Sequence, residues 1–274
     1  MDDSQITWEE AVKWLRSQPG REPLVKACFF DDPLVAACDR YLASSEWREV
    51  RKISGPPGSV LDVGAGRGIA SYAYARDGWK TAALEPDSSN LVGAGAIRKI
   101  NEETGLNIEV VETWGEQLPF PAATFDVVFA RQVLHHAADL GAFCREVFRV
   151  LRPGGRFIAI REHVLTKESD LSAFLASHPL HELYGGEHAY RLEVYLNRMT
   201  EAGFTIEQIF NPYASEINTF PTTLTEIKEQ MARKLNWPWP SLIPNCILKL
   251  RGAVMNTPGR IYSFVASKPP ELLR

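Results

Sequence analysis

The chain has 274 residues, of which 45% are hydrophobic and 23% charged, and its formal net charge is -4. This composition is typical of a globular protein with a substantial core, and it excludes a disordered chain. The basic residues are scattered rather than clustered, so we expect no nucleic-acid partner. No apolar run reaches about eighteen residues, so we expect no spanning segment and no membrane partner.

The four cysteines form no CxxC pair and no metal-ligand spacing. We therefore expect reduced thiols, a cytoplasmic location and no bound metal. The first residues are acidic and lack the apolar stretch of a signal peptide, which favours the same location.

Helical periodicity dominates residues 1–55, which we interpret as an N-terminal helical cap. Thr7 precedes the first amphipathic stretch as a predicted N-cap, and Glu10 follows three residues later, as in a capping box. The rest of the chain, 56–274, is predicted to be one domain. Within it, 164–203 and 214–258 interrupt the regular pattern, and we interpret both as insertions that cover a substrate.

From Ser59 onward, short apolar runs alternate with helical stretches. The predicted strands are "SVLDVG", "KTAALEP", "IEVVET", "FDVVFA", "RFIAIREHV", "FTIEQIFNPY" and "RIYSFVASK". Such alternation predicts an α/β fold with a parallel sheet and helices on both faces. The continuous apolar character of these strands indicates that both faces of the sheet are covered.

The clearest chemical signal is "VLDVGAGRG", in which a strand runs into a glycine turn and then a helix. Gly64 and Gly66 allow a tight turn and leave backbone open to a ligand. A dinucleotide-binding fingerprint needs glycine or alanine where this chain has Ile69. Asp62 would repel a pyrophosphate, and it favours a ligand with positive charge such as a sulfonium or an ammonium.

"VLDVGAGRG" resembles motif I of the class I S-adenosylmethionine (SAM)-dependent methyltransferases. "WGEQLPFPAATFDVVFARQVLHH" and "LRPGGRFI" resemble later motifs of the methyltransferase type 11, or ubiquinone/menaquinone-type, branch. The resemblance covers about residues 59–165. It implies a Rossmann-like sheet of seven strands in the order 3-2-1-4-5-7-6, with the last strand antiparallel and with SAM across the ends of the first four strands.

The resemblance also implies a set of cofactor-binding residues. Glu85 would accept hydrogen bonds from both ribose hydroxyls, and backbone near Ala130 would hold the methionine ammonium. The full set is Asp62, Gly64, Ala65, Gly66, Glu85, Pro86, Trp114, Gly115, Glu116, Ala130 and Arg131.

Two of these positions leave alternatives open. The family often has an aspartate on the adenine amino group where this chain has Trp114, and indole cannot accept that bond. Either Glu116 or backbone takes that role, or Trp114 packs on the adenine ring. Arg131 pairs with the methionine carboxylate or is a surface arginine.

For catalysis, we predict His163 at the end of the fifth strand as the general base, if the reaction uses one. His181, in the first insertion, is the second candidate. Alternation along the strand puts Glu162 and His163 on opposite faces, so only one of them is expected in the pocket. Four aromatic residues of the insertions either form an acceptor pocket or pack as core: Tyr184, Tyr190, Trp237 and Trp239.

The sequence thus predicts an enzyme that methylates a small molecule, and it leaves the acceptor and the oligomeric state open. Two alternatives remain: a SAM-fold protein that binds the cofactor without methyl transfer, and an NAD(P)-dependent oxidoreductase. Ile69 counts against the oxidoreductase.

Overall fold

The computed structural model describes residues 6–177, 180, 183 and 188–271. The strands are β1 (Ser59–Val63), β2 (Lys80–Leu84), β3 (Glu109–Val111), β4 (Phe125–Arg131), β5 (Leu151–Leu165), β6 (Tyr190–Arg191), β7 (Thr205–Phe210) and β8 (Arg260–Ser267). Described helices before β5 are α1 (Trp8–Ser17), α2 (Glu22–Ala27), α3 (Leu34–Leu42), α4 (Ser45–Ser54), α5 (Ile69–Arg76), α6 (Ala94–Thr104) and α7 (Leu140–Val150). Described helices after β5 are α8 (Leu171–Leu175), α9 (Leu192–Glu201), α10 (Glu216–Thr219), α11 (Leu224–Lys234) and α12 (Asn245–Val254).

The strands form one sheet in the order β3-β2-β1-β4-β5-β8-β7, and the short β6 pairs with the end of β5. β1 to β5 run parallel, whereas β8 runs antiparallel to both β5 and β7. Apart from the two-residue β6, this is the predicted order with the predicted antiparallel last strand. The predicted Rossmann-like α/β fold is therefore confirmed.

Apolar layers cover both faces of the sheet, as the continuous apolar strands predict. All five residues of β1 are buried. Leu61 faces a core formed with α7 and α9, while its neighbour Val60 faces the opposite core, which includes Trp47 of α4. The N-terminal helices therefore share a core with the sheet.

The start of α1 follows its sequence signature, because Thr7 and Glu10 form the predicted capping box. Residues 34–54, which also have helical periodicity, form two helices rather than one. Ser44 leaves helical geometry, and its side chain accepts from the amide of Trp47, so α3 ends and α4 begins there. None of the helices that the structure describes is long and apolar enough to cross a membrane.

A bulge near the carboxyl end of β5 shapes the site. Between Ala159 and Glu162 the register with β8 shifts by one residue, and Arg161 takes a positive φ of 61°. Beyond the bulge, buried Glu162 accepts from the amide of Val133, and His163 lines the cavity beside Gly259. Both side chains contact His135, so the bulge interrupts the simple alternation that was predicted for Glu162 and His163.

Candidate functional site

A cavity of about 1500 Å³ opens at the carboxyl ends of β1, β2, β4 and β5. In doubly wound sheets, ligands bind at this edge. The N-terminal helices contribute one wall, through residues such as Glu9 and Phe29. The residues after α10 contribute another part of the rim, through Pro221 and Pro258.

The two glycines of the turn after β1 serve different purposes. Both have positive φ, 65° at Gly64 and 53° at Gly66. A Cβ at Gly64 would lie 2.6 Å from Cγ2 of Val133, so Gly64 permits close packing under the cavity. A Cβ at Gly66 would meet no atom closer than 3.8 Å, so this backbone faces open space in the cavity wall. Gly66 therefore leaves room for a ligand.

Glu85 lies directly after β2 and links the glycine turn after β1 to the segment after β2 through hydrogen bonds. Its Oε2 accepts from the amide of Gly66 at 2.7 Å, and its Oε1 accepts from the amide of Asp87 at 3.0 Å. Burial raises the pKa of Glu85, and these two amides oppose that shift. Each carboxylate oxygen keeps a further lone pair, so the group can still accept two hydroxyls. Ala65 and Pro86, which flank these groups, also line the cavity.

Asp62 is the buried acid of the turn and lines the same cavity. Ser71 donates a hydrogen bond of 2.6 Å to its Oδ2. Burial raises the pKa of Asp62 to about 7, a shift that the Ser71 hydroxyl opposes and the nearby Glu85 reinforces. A cationic ligand would lower that pKa again, so this position suits a sulfonium or an ammonium.

The segment after β3 lines one edge of the cavity. We call the part of the cavity beside the glycine turn, Glu85 and this segment the cofactor half, and the part beside His135 and His163 the acceptor half. Trp114 lines the cavity with 67% of its surface exposed, which leaves its ring able to cover a flat ligand. Gly115 packs against the ring of Phe143, where a Cβ would lie 2.5 Å from a ring carbon. Glu116 lines the cavity and accepts from the amide of Ala138 at 2.9 Å. Both alternatives for adenine recognition remain predictions.

Arg131 lines the cavity and is not a surface arginine, and its pairing with the methionine carboxylate stays a prediction. Its guanidinium contacts the buried carboxylate of Glu46 through two hydrogen bonds, of 2.7 and 3.1 Å. A buried carboxylate needs such a partner, and α4 delivers Glu46 to this place. Ala130 itself is fully buried within β4, and the contact of nearby backbone with the methionine ammonium stays a prediction. The residues that line the cavity here are Arg131, Gln132 and Val133.

Of the two predicted bases, the structure describes one. His163 lines the cavity, and its Nδ1 lies 3.0 Å from the carbonyl oxygen of Gly259. Its ring packs against those of Phe174 and His135. His181 lies outside the described residues, as does Tyr184 of the predicted aromatic pocket.

A carboxylate–imidazole pair, which the sequence analysis missed, lies beside His163. Oε2 of Glu162 is 2.7 Å from Nδ1 of His135, and both side chains are buried. Oε1 of Glu162 also accepts from the amides of Val133 and Leu134, at 2.9 and 3.2 Å. Burial raises the pKa of Glu162, and these amides oppose the rise.

His135 belongs to a short 3-10 helix, Leu134–His136, which follows β4. An ionised carboxylate only accepts, so Nδ1–H of His135 donates to Glu162 and the basic lone pair is on Nε2. Because His135 lines the cavity, this pair lies at the wall of the space that a ligand would occupy. The signal in the sequence was "LHH" after the fourth strand and an acid before His163.

The expected aromatic acceptor pocket does not form from the described residues. Trp237 and Trp239 are 48% and 58% exposed, and neither lines the cavity. Tyr190 is half-buried and packs on Tyr195, away from the cavity lining. Within the described ranges, no group of three or more His, Cys, Asp or Glu side chains could hold a metal ion.

A glycine turn after β1, an acid after β2 and an antiparallel strand inserted at the end of a parallel sheet define the class I SAM-dependent methyltransferases. Residues 61–159 match the family model described as a methyltransferase domain, Methyltransf_11. This match covers about a third of the chain, shows that it contains a methyltransferase domain, and supports SAM as the cofactor.

Relatives and solved structures that the chain resembles are also methyltransferases or share their fold. A ubiquinone biosynthesis O-methyltransferase from Rhizobium leguminosarum bv. trifolii is 29% identical over 167 residues, which are 58% of this chain and 65% of that protein. The chain therefore matches less than two thirds of that relative's length. Geranyl diphosphate methyltransferase in complex with SAM shares the fold, with a TM-score of 0.60, 14% identity and 96% coverage of each chain. The cyclase SpnF shares it with a TM-score of 0.56 at 19% identity, over 88% of this chain and 84% of its own.

Proposed function

We propose that this protein transfers the methyl group of SAM to an oxygen atom of a small molecule, with His135 as general base and Glu162 as its orienting partner. The observation that carries the proposal is the buried Glu162–His135 hydrogen bond at the wall of the cofactor cavity. The printed name of the Rhizobium relative, an O-methyltransferase, supports oxygen as the acceptor atom.

The cofactor half of the cavity fits SAM by its shape and charge. Gly66 leaves the wall open, Glu85 has acceptor capacity for a vicinal diol, and buried Asp62 favours a cation. SAM supplies a methyl group on a sulfonium, which is a good leaving group. The residues of this half therefore need only bind and orient the cofactor and exclude water.

The acceptor half supplies the proton chemistry. Glu162 holds the imidazole of His135 in one tautomer, so the ring has its basic lone pair on Nε2. A hydroxyl of the acceptor would pass its proton to that nitrogen as the oxygen–carbon bond forms. His163 adjoins the same ring, and we propose that it positions the acceptor or His135.

A second candidate has a specific observation in its favour. SpnF shares the fold and is described as a cyclase, so proteins of this shape are not confined to methyl transfer. The chain could bind SAM and use the Glu162–His135 pair for another proton transfer. An NAD(P)-dependent oxidoreductase is disfavoured, because Ile69 takes the third glycine position of the dinucleotide fingerprint and buried Asp62 would repel a pyrophosphate at the turn.

The test uses SAM that carries an isotopic label on the methyl carbon. The purified protein is incubated with this SAM and a panel of phenols, alcohols and carboxylic acids. Labelled ether or ester products, formed with equal amounts of S-adenosylhomocysteine, support the proposal. The same products from His135→Gln at an unchanged rate would contradict the role of the base. Tight SAM binding with no labelled product from any acceptor would favour the second candidate.

We also propose a cytoplasmic location. All four cysteines are free thiols, and burial raises the pKa of both Cys38 and Cys144 to about 12. Thiols that persist unpaired are typical of reducing compartments.

A further inference from the structure

Seven large apolar side chains are exposed within one short stretch of the chain, and exposed apolar surface often marks an interaction site. We call these residues the apolar surface: Leu235, Trp237, Trp239, Leu242, Ile247, Leu250 and Val254. All of them belong to the segment 222–257, which includes α11 and α12. Leu235, Leu242, Leu250 and Val254 are each at least 65% exposed.

The orientation of α12 shows that this exposure is systematic. Leu248 and Gly252 face the body of the protein and are buried. The carbonyl oxygen of Lys249 accepts a hydrogen bond of 2.8 Å from Asn211, which fixes that orientation. Ile247, Leu250 and Val254 recur at helical spacing on a different face of the helix, which is exposed. Thus α12 buries one apolar face against the protein and exposes another, and covering the exposed face with a ligand would lower the free energy.

The two tryptophans hold each other in place. Nε1 of Trp237 donates to the carbonyl oxygen of Trp239 at 3.0 Å, and the two rings meet edge to face at 5.8 Å. Pro238 lies between the two tryptophans and Pro240 follows Trp239, and both prolines restrict the backbone of this stretch. A preorganised pair of amphipathic rings of this kind is favourable at the boundary between water and lipid headgroups.

The charge of this segment differs from that of the whole chain. Between Leu224 and Val254, five basic residues stand against two acidic ones, in a protein of net charge -4. The basic residues are Lys228, Arg233, Lys234, Lys249 and Arg251. Arg233, Lys234 and Lys249 are exposed and adjoin the apolar surface in sequence. Basic side chains beside exposed apolar ones complement a surface that is both apolar and anionic.

The segment leaves and rejoins the body at the cavity rim. Pro221, just before it, and Pro258, just after it, both line the cavity. Val254, the last residue of the apolar surface, is therefore four residues along the chain from the cavity lining.

We propose that the apolar surface docks on a lipid bilayer with anionic headgroups. The tryptophans and aliphatic side chains would enter the headgroup region, and the basic side chains would contact lipid phosphates. This contact would be peripheral, so it needs no spanning helix, and the described residues contain none. It departs from the sequence-based expectation of no membrane partner, which considered spanning segments alone. A second copy of the chain is the competing occupant, but the basic excess would then face itself.

The experiment is cosedimentation of the full chain with lipid vesicles. Wild type should sediment with vesicles of phosphatidylcholine and phosphatidylglycerol, and much less with phosphatidylcholine alone. Added salt should weaken binding, because the basic contribution is screened. The double variant Trp237→Ala with Trp239→Ala should lower the partition coefficient on the order of tenfold. Lys234→Gln and Lys249→Gln should each lower it about fivefold on anionic vesicles.

Matched controls come from elsewhere on the surface. Trp14→Ala removes a tryptophan of α1 that is 38% exposed, and Lys80→Gln removes an exposed charge at the amino end of β2. Both should sediment as wild type does. Leu250→Gln with Val254→Gln gives a second disruption of the apolar surface, on an exposed face where folding is little affected. SAM affinity, measured in every variant, reports correct folding.

Two results would overturn the proposal. One is equal sedimentation of wild type and of all the folded surface variants. The other is a wild type that is dimeric without vesicles and becomes monomeric in the Leu250→Gln, Val254→Gln variant while it fails to bind vesicles. That result would assign the surface to a second copy of the chain.

Discussion

Oε2 of Glu162 lies 2.7 Å from Nδ1 of His135, although 27 residues separate the two in the chain. The contact exists because parallel β4 and β5 end at the same edge of the sheet. The bulge at Arg161 then directs Glu162 toward the 3-10 helix that carries His135. The same edge carries the cofactor turn, so an oriented imidazole adjoins the cofactor site.

We predict that His135→Gln lowers kcat by about a hundredfold or more while the Kd for SAM changes little. A general base contributes about two to four orders of magnitude, and glutamine cannot take a proton. The measurement is steady-state turnover at saturating SAM with an acceptor found by the labelled-methyl assay. Calorimetry of SAM binding provides the control for folding.

His163→Gln distinguishes the two imidazoles. If His163 only positions its neighbours, we expect the variant to raise KM for the acceptor and to change kcat by no more than a few-fold. A hundredfold loss of kcat in His163→Gln, with His135→Gln nearly normal, would restore the original assignment of His163 as the base. The pH profile of kcat adds a separate readout, since its acidic limb follows the imidazole that takes the proton.

Local patterns in the sequence were enough for the strands and for the turn at Gly64 and Gly66, whereas the strand order came from the resemblance to class I methyltransferases. Periodicity and glycine positions report backbone geometry, which neighbouring residues determine. Pairings across the fold were a different matter. Arg131 and Glu46 are 85 residues apart, and nothing in either segment indicates that α4 brings a buried carboxylate to the end of β4. The exposure of Trp237 and Trp239 was also invisible, because aromatic composition alone does not separate core from surface.

A second prediction concerns the ribose site. Glu85→Ala should weaken SAM binding about ten- to a hundredfold, because a charge-assisted acceptor contributes about 1.5–3 kcal/mol. Isothermal calorimetry measures the Kd directly. Glu112→Ala is the matched control, since Glu112 is an exposed glutamate just after β3 that pairs with Arg98 outside the cavity. Equal Kd values in both variants and wild type would remove Glu85 from the cofactor site.

The third prediction distinguishes two effects of a side chain at the glycine turn: the filling of ligand space and the strain of a positive φ. Gly66→Val should abolish SAM binding, because the added side chain would enter the open space beside the turn, and because valine is strained at a φ of 53°. Gly154→Val is the control, with a φ of 79° and open space at the far end of β5. Both variants should lose a similar amount of thermal stability. Normal SAM binding by folded Gly66→Val would place the cofactor elsewhere.

The last prediction follows from the buried acid. Burial raises the pKa of Asp62 to about 7, above its usual 3.8, so between these values the folded protein holds a proton that the unfolded chain has lost. This contribution to stability is present in full below pH 3.8 and is lost as pH rises through about 7. Within that window, the free energy of unfolding should fall by up to about 1.4 kcal/mol for each pH unit. Urea titrations of wild type and Asp62→Asn measure the difference.

Cofactor binding should show the opposite slope. A cation in the cavity favours the ionised carboxylate, so SAM must displace the Asp62 proton below pH 7 and need not do so above it. The Kd should therefore fall as pH rises toward 7, by up to about tenfold for each unit, and then level off. Asp62→Asn should bind SAM more weakly at high pH and lose most of this dependence. If the Kd of wild type and of Asp62→Asn changes in parallel across that range, Asp62 does not face the positive charge of the cofactor.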